Sequence, residues 1–517
     1  MIGQVRLLRL VVVNLYKLCS NKLENKSLSG FIPALRVGLK HLRGCGLLAP
    51  LFPASRLGVS EPLPVSKRFC EYFRCPERYA SFAAGGLVSE EAGYFKFARR
   101  VVFGRHGDGE FEEFSSTSPS NPETHLSSED SAVHLSFDAD EVVDNLRLEK
   151  YVSPTEQRHP ANSLLGRAYY FARPLLPVKV RRHLQRARLI SWRDLTFPQW
   201  PVDCTVDNTL ADMLLLSRRA HRVERIPFIW FWPEGASGAA VVTHDVETAS
   251  GRDASATLMD IDDSFGIKAA FEVVPEKRYE VTPAYIESIW NRGFEVAVHD
   301  LNHDGHLFRD RETFLQRAAK INTYGKHFHA EGFRAAVLYR NQEWFDALDF
   351  SYDTSVPNVA HLDPQRGGCC TVMPYFVGKL VELPVTATQD YSLFHILNEY
   401  SIDLWKRQIE LILGNHGLIN VIIHPDYSVP PRERAVFEAL LSHLATLREE
   451  SGVWTALPKD VARWWKQRSE MKLIEEENGW RIEGEGKERA RVAFAFEKDG
   501  RLAFEVCSAE AAHPVKN

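Results

Sequence analysis

Apolar and polar positions change period along this chain, and the changes mark out strands and helices. Residues 239–247 read Ala-Ala-Val-Val-Thr-His-Asp-Val-Glu, an apolar run that ends in titratable residues. Unbroken β-branched and small residues predict a strand covered on both faces, and the charge predicts where it leaves the sheet. Residues 268–275 and 294–299 repeat the pattern, each after a stretch of helical periodicity. Further on, 309–326 predicts a helix with Phe314, Leu315, Ala318 and Ile321 on one face, and 331–338 and 380–385 predict strands. Residues 402–413 predict a helix, 418–425 a strongly apolar strand ending in His424, and 432–450 an amphipathic helix. A short strand at 453–456 and a helix at 459–468, with Trp464 and Trp465, close the series. This alternation implies an α/β fold around a parallel sheet or barrel, with its site at the carboxyl ends of the strands.

On either side the pattern is less regular. Residues 49–105 mix aromatic and charged positions as a small folded module would, whereas 106–130 are dominated by Ser, Pro, Glu and Asp and contain no Lys or Arg. Such a composition predicts a linker, with order resuming near Phe137. The run 179–188 is basic at helical spacing and predicts a solvated helix face. Residues 197–203, Phe-Pro-Gln-Trp-Pro-Val-Asp, form a stiff aromatic loop suited to packing on the barrel or to stacking a sugar on Trp200. A helix at 209–222 leads to the first strand, and alternation at 491–496 predicts a small β appendage. The expected divisions are an N-terminal segment without assigned role (1–105), an acidic Ser/Pro-rich linker (106–136), a helical accessory region packing on the barrel (137–235), the barrel (236–468) and the appendage (469–517).

Composition narrows the function classes. A chain of 517 residues favours two or three parts, and a net charge of −5 argues against nucleic acid as the partner. Eight Cys in no regular framework, two of them adjacent at 369–370, predict free thiols in a reducing compartment and hence a cytoplasmic protein. Cys70 and Cys75 lack the second pair that a metal site would need. No apolar run approaches the roughly 18 residues needed to span a bilayer. Residues 5–18 are apolar but interrupted by Arg6, Arg9, Asn14 and Lys17, unlike a signal peptide. Through Arg43 the start holds eight Lys and Arg against the single acid Glu24, so a membrane-peripheral basic helix is a second expectation. Oligomeric state leaves no mark in the sequence.

The chemistry gathers at three predicted strand ends. His299 and His303 are four apart, so one turn of helix would point both imidazoles at one metal. Asp245 and Glu247 lie on one side of their strand by the period of two, and the pair offers a carboxylate ligand and a free carboxylate. Two His and one carboxylate leave a coordination position open, as catalytic sites require. His306 competes as a ligand, one turn from His303. His424 ends a later strand and should arrive at the same rim.

These residues resemble the polysaccharide deacetylases, also called carbohydrate esterase family four or NodB-homology proteins. Thr243-His244-Asp245-Val246-Glu247 is similar to that family's first motif, with Val246 where a metal-binding Asp is usual and Glu247 in the place used by an Asp-x-Asp subgroup. His299-Asp300-Leu301-Asn302-His303 resembles the His-Ser/Thr-x-x-His motif, with Asp300 at the Ser/Thr position. Gly332-Phe333-Arg334-Ala335 resembles the Arg motif without its Pro, Tyr352-Asp353-Thr354-Ser355 the subgroup's Tyr-Asp-Ser-Ser run, and Val421-Ile422-Ile423-His424 the final motif. The resemblance spans about residues 239–465 and implies a distorted (β/α)7-type barrel, here with an N-terminal extension and a small C-terminal β appendage.

The resemblance also implies one divalent metal on Glu247, His299 and His303, zinc first and other first-row ions after it. Asp245 would be the general base, Arg334 its holder and His424 the general acid, with Asp426 raising the pKa of His424. A donor for the oxyanion is expected from 367–375, and substrate contacts from Tyr375, Trp200 and Asp353. The implied activity is removal of acetyl from an N-acetylated sugar. The alternatives are hydrolysis of a small cyclic amide or imide, and a carbohydrate-binding barrel without turnover.

Overall fold

Strand β1 (Ala239–Val246) is buried along its whole length, as a strand covered on both faces must be. The computed structural model describes residues 64–84, 89–107, 125–126, 133–153, 180, 183–184, 186, 189–477 and 479–508. Beside β1 it sets β2 (Ala270–Val273), β3 (Glu295–His299), β4 (Gly332–Arg334), β5 (Tyr352–Asp353), β6 (Leu380–Glu382) and β7 (Leu418–Ile423). Their order is β6-β5-β4-β3-β2-β1-β7, and every neighbouring pair is parallel. The ring closes between the chain following β6 and β7. Thr386 Oγ1 donates to Leu418 O at 2.7 Å and accepts from Asn420 N at 2.9 Å, and Ala387 N reaches Asn420 O at 3.2 Å. The fold is therefore a distorted (β/α)7-type barrel, with Tyr375–Val377 added antiparallel to β6 and Trp454–Thr455 at the foot of β1.

Helices α1 (Ala249–Ser264), α2 (Pro283–Trp290), α3 (Arg311–His327), α4 (Asp403–Leu413), α5 (Pro431–Ser451) and α6 (Pro458–Glu470) accompany the strands. Outward-facing Val242, Phe271, Val296, Phe333 and Val421 share one core with Leu258, Ile286, Phe314, Ile412 and Phe437 from the helices. Each such side chain contributes about 1.5–3 kcal/mol on burial. The first helices start where the sequence supplies caps: Thr248 accepts from Gly251 N, Thr282 from Tyr285 N and Asp310 from Thr313 N. Thr248 directly follows Glu247, so the cap that starts α1 also fixes the chain at the rim. Leu315, expected on the buried face of α3, is 45% exposed. Phe314, Ala318 and Ile321 keep the helical period, and Leu315 stands about a quarter-turn away from it.

Outside the barrel the chain is more entwined than its composition predicts. Within the segment expected to be a linker, Val133–Leu135 pairs parallel with Phe82–Ala84 and antiparallel with His125–Leu126. The alternating burial of Val133, His134 and Leu135 explains why this short run enters a sheet. The accessory region contributes helices Ala139–Arg147 and Thr205–Ala220, the second starting four residues before the expected 209. It also contributes the strand Arg225–Ile229, which pairs antiparallel with Val492–Lys498 of the C-terminal segment. The expected β appendage is thus two hairpins, one of them annexed to the accessory strand. Phe69, Phe73, Val142, Leu146 and Phe228 from these regions share a second core with Val241, Leu418, Trp464 and Trp465.

Expectations for residues 1–63, and for most of the basic run 179–188, fall outside the described residues. No helix among the described residues is long and apolar enough to cross a membrane. The cysteines among them, Cys70, Cys75, Cys204, Cys369, Cys370 and Cys507, are all free thiols.

Candidate active site

The carboxyl end of β1 places Asp245 and Glu247 on one side of the chain, and the end of β3 brings His299 to face them. His303 follows, but not on a helix. Asp300 and His303 both take positive φ, +55° and +53°, so a tight left-handed loop returns the second ring to the first, with centroids 4.9 Å apart. Asp tolerates this region because its short side chain bonds the local backbone. Here Asp300 Oδ1 accepts from Leu301 N at 2.5 Å, and Asp300 N donates to Arg334 O at 2.8 Å. His303 Nε2 stands 2.8 Å from Glu247 Oε1. His299 Nε2 stands 3.7 Å from that oxygen and 3.7 Å from Asp245 Oδ2.

The donor set has the marks of a metal centre. Candidate ligand atoms of Glu247, His299 and His303 all lie within 4.8 Å of one another, and so do those of Asp245, Glu247 and His424. His299 Nδ1 lies 3.1 Å from Arg334 O. With Nδ1–H donated to that carbonyl, Nε2 would be the atom available to a metal. Although buried, His299 Nε2 and both ring nitrogens of His303 make no aligned hydrogen bond. Buried polar atoms rarely go unsatisfied, and imidazole nitrogens converging on a carboxylate suit zinc or a similar ion. His306, the competing ligand, instead turns Nδ1 to Asp304 O at 3.0 Å.

Asp245 is held from below. Arg334 Nη1 donates to Asp245 Oδ1 at 2.5 Å and to Thr243 Oγ1 at 2.8 Å, while its other nitrogens reach Thr354 O and Oγ1 at 3.0 Å. Burial works to raise the pKa of Asp245, but Arg334, with His299 and His424, holds it below the usual carboxylate value. Asp353, expected to touch substrate, is fully buried. Its carboxylate accepts from Ser355 N at 2.7 Å and Ser355 Oγ at 2.9 Å, which shapes the turn presenting Thr354 to Arg334.

His424 is tuned in the opposite sense. Asp390 Oδ1 lies 2.6 Å from His424 Nδ1, and Asp390 Oδ2 accepts from His424 N at 2.7 Å. Burial works to lower the pKa of His424, but Asp390, with help from Glu247, holds it well above 6.5. The partner expected from sequence, Asp426, instead accepts from Thr248 Oγ1 at 3.0 Å. Sequence reasoning missed Asp390. Its only signal is an acid ending the strand-like extension of β6 that closes the barrel. It also missed Glu272, fully buried beneath Asp245, whose carboxyl oxygens have no hydrogen-bond partner. Burial lifts its pKa to about 7, against the pull of Arg334.

Other expected contacts lie elsewhere. The hydroxyl of Tyr375 donates to Arg147 O at 3.3 Å and Gln342 Oε1 at 3.0 Å, away from the cluster. Backbone amides of the 367–375 loop are also committed: Gly368 N to Glu149, Cys369 N to Pro357 O and Val372 N to Asp207. That leaves the expected oxyanion donor without support. Trp200 is half-buried and lines a narrow cavity with Leu338, Thr388, Gln389 and Ser392, next to Asp390. Nearer the rim, Tyr427 lies 4.9 Å from the His424 ring and 5.8 Å from Tyr391.

No family model matches the chain, and no curated protein matches it. Solved structures do. A Mycobacterium smegmatis protein assigned as a polysaccharide deacetylase is 21% identical, over 46% of this chain and 93% of its own, at a TM-score of 0.38. The allantoinase Puue is 13% identical over 45% and 92%, at 0.38. A family 4 acetyl xylan esterase from Clostridium thermocellum, solved with a cobalt ion, is 16% identical over 44% and 91%, at 0.27. With likeness this distant, function is read below from this chain's own side chains.

Proposed function

We propose that this chain is a metal-dependent amide hydrolase that removes acetyl from an N-acetylated sugar of a polysaccharide or glycan precursor. One observation carries the reading. Across a cluster of unsatisfied imidazoles stand two oppositely tuned groups, Asp245 held ionised by Arg334 and His424 held protonated by Asp390. A divalent ion on Glu247, His299 and His303, zinc by the ligand types, would supply Lewis acidity toward the acyl carbonyl and the attacking water.

The chain's own residues move the protons. Arg334 occupies Asp245 Oδ1, so Oδ2 is the atom that takes the proton of water. His424 points Nε2 toward the cluster, 3.4 Å from Glu247 Oε1, and donates its proton to the departing nitrogen. Amide cleavage needs that donation because nitrogen leaves poorly as an anion. Asp390 keeps the ring in one orientation through Nδ1 and favours its protonated form. Glu247, at 19% side-chain exposure, is the most exposed side chain of the cluster, and substrate would approach from its side. The sugar class comes from the resemblance of the motifs, and the rings of Tyr427 and Tyr391 beside His424 suit a sugar face. A binding barrel without turnover would have no use for a buried base and a buried acid with separate partners.

Variants separate ligand from base. Glu247→Ala should lose metal, whereas Asp245→Asn should keep metal and lose hydrolysis of N-acetylglucosamine oligomers; the reverse pattern exchanges their roles. Turnover of a cyclic ureide, with none of the acetylated oligomers, would overturn the sugar reading and keep the metal site.

A further inference from the structure

After Arg334 the chain makes a tight turn at Ala336–Leu338, in which Val337 and Leu338 both adopt positive φ, +62° and +53°. L-residues disfavour this region, a β-branched one most of all, and it persists only where the surroundings impose it. The surroundings here come from outside the barrel. Arg340 Nη1 donates to Leu338 O at 2.9 Å, tying the turn to its own guanidinium. That guanidinium forks onto Glu149, with Nε 2.7 Å from Oε2 and Nη2 on Oε1. Glu149 follows helix Ala139–Arg147 of the accessory region. It also accepts from Gly368 N at 2.6 Å, while Tyr151 donates to Gly368 O at 2.7 Å. Gln365 completes the clamp, accepting from Arg340 N and donating to Arg340 O, both at 3.0 Å.

The clamped turn reaches the rim within a few residues. Leu338 packs on Val385 and Ile422 at the top of the barrel, and Ile422 lies two residues before His424. Leu338 also walls the cavity shared with Trp200, Thr388, Gln389 and Ser392, and Gln389 precedes the Asp390 that holds His424. We infer that Glu149 is a positioning residue: through Arg340 it holds the strained turn that sets Leu338 in the wall beside the general acid, so that the accessory region shapes how substrate is bound.

A stability role alone does not account for the pair. Removing two charges from water offsets most of their attraction, so apolar residues of similar size often replace a buried ion pair without loss. What the forked guanidinium supplies beyond that is geometry.

The test follows from this difference, and its kinetic arm rests on the deacetylase reading. Glu149→Ala alone strands a buried guanidinium and reads only stability, so the informative variant is Glu149→Leu with Arg340→Met in the full metal-loaded chain. Metal content should stay at the wild-type level and the melting temperature should fall modestly, because Gly368 N and Leu338 O lose their partners, with KM for an N-acetylglucosamine oligomer raised about tenfold and kcat little changed. Backbone amides of 335–341 should exchange faster with solvent. Arg340→Lys keeps the charge but loses the fork, and should move KM the same way. Wild-type KM and wild-type exchange in both variants overturn the inference, as does a fall in kcat accompanied by loss of metal. If the wild-type chain hydrolyses no acetylated sugar, the deacetylase reading fails, and exchange at 335–341 still decides the positioning role.

Discussion

Glu295 lies inside the barrel, 2% exposed, and accepts from Tyr352 Oη at 2.9 Å and Lys459 N at 3.1 Å. Burial raises its pKa from 4.5 to about 8, against those two donors and with Glu272 reinforcing it. A carboxyl with a raised folded-state pKa stabilises fully below its unfolded value, and that stability is lost as pH rises through the folded one. Each tenfold change in proton affinity is about 1.36 kcal/mol, so the loss between pH 4.5 and pH 9 is of the order of 5 kcal/mol. Glu295→Gln cannot ionise. Its amide can satisfy only one of the two donors with its oxygen, which costs about 1 kcal/mol at every pH. The two stability curves should therefore cross: the variant weaker at pH 4.5, stronger by several kcal/mol at pH 9. Urea unfolding across that range measures it. Parallel curves would show that Glu295 is ionised throughout, and would refute the raised pKa.

Three further outcomes are expected. His424→Ala should lower hydrolysis of an N-acetyl sugar by about 10² to 10⁴-fold and an aryl acetate far less, because the ester's leaving group needs no proton; equal losses would point instead to oxyanion stabilisation. Asp390→Asn should show the same preference for the ester more weakly, with metal content unchanged, and ester and amide falling together would remove Asp390 from the acid's support. Gly332→Ala would set a Cβ 2.0 Å from the Tyr352 ring, a clash expected to destabilise by about 3 kcal/mol or more, and an unchanged melting temperature would contradict the packing of Tyr352 across β4.

The barrel strands were legible because burial on both faces forces an apolar run, and such a run ends visibly where Asp245, His299 or His424 begins. The same cue fails for short or one-sided elements. Val133–Leu135 is three residues inside an acidic stretch, too few to show a period. His299 and His303 were read as neighbours for a reason that does not hold. A spacing of four suits a helix turn, but it equally suits a strand end followed by a left-handed loop, and only the backbone at Asp300 and His303 distinguishes them. Asp390 was not legible because its bond to His424 joins residues 34 apart across the closure of the barrel. Tyr375 and Asp353 carry the right chemistry for substrate, but hydrogen bonds that no periodicity encodes hold them in the scaffold.

The charges at the rim support the proposed cation. Asp245 with Arg334 and Asp390 with protonated His424 are two balanced pairs, each joined by a direct hydrogen bond. Glu247 is left over. Burial works to raise its pKa, but His303, with His299 and His424, holds it well below the ordinary value, so it is ionised. An ionised carboxylate in so enclosed a place needs a partner; His303 Nε2 stands 2.8 Å from it, but the ring nitrogens of His303 and His299 Nε2 make no aligned hydrogen bond. A water could bond the carboxylate and one ring but would leave the charge unbalanced. The divalent ion proposed above would meet both needs, held by Glu247, His299 and His303 and offsetting the charge. On that proposal Asp245 Oδ2 and His424 Nε2 would remain for proton transfer, so metal content and turnover should separate in the Asp245 and His424 variants.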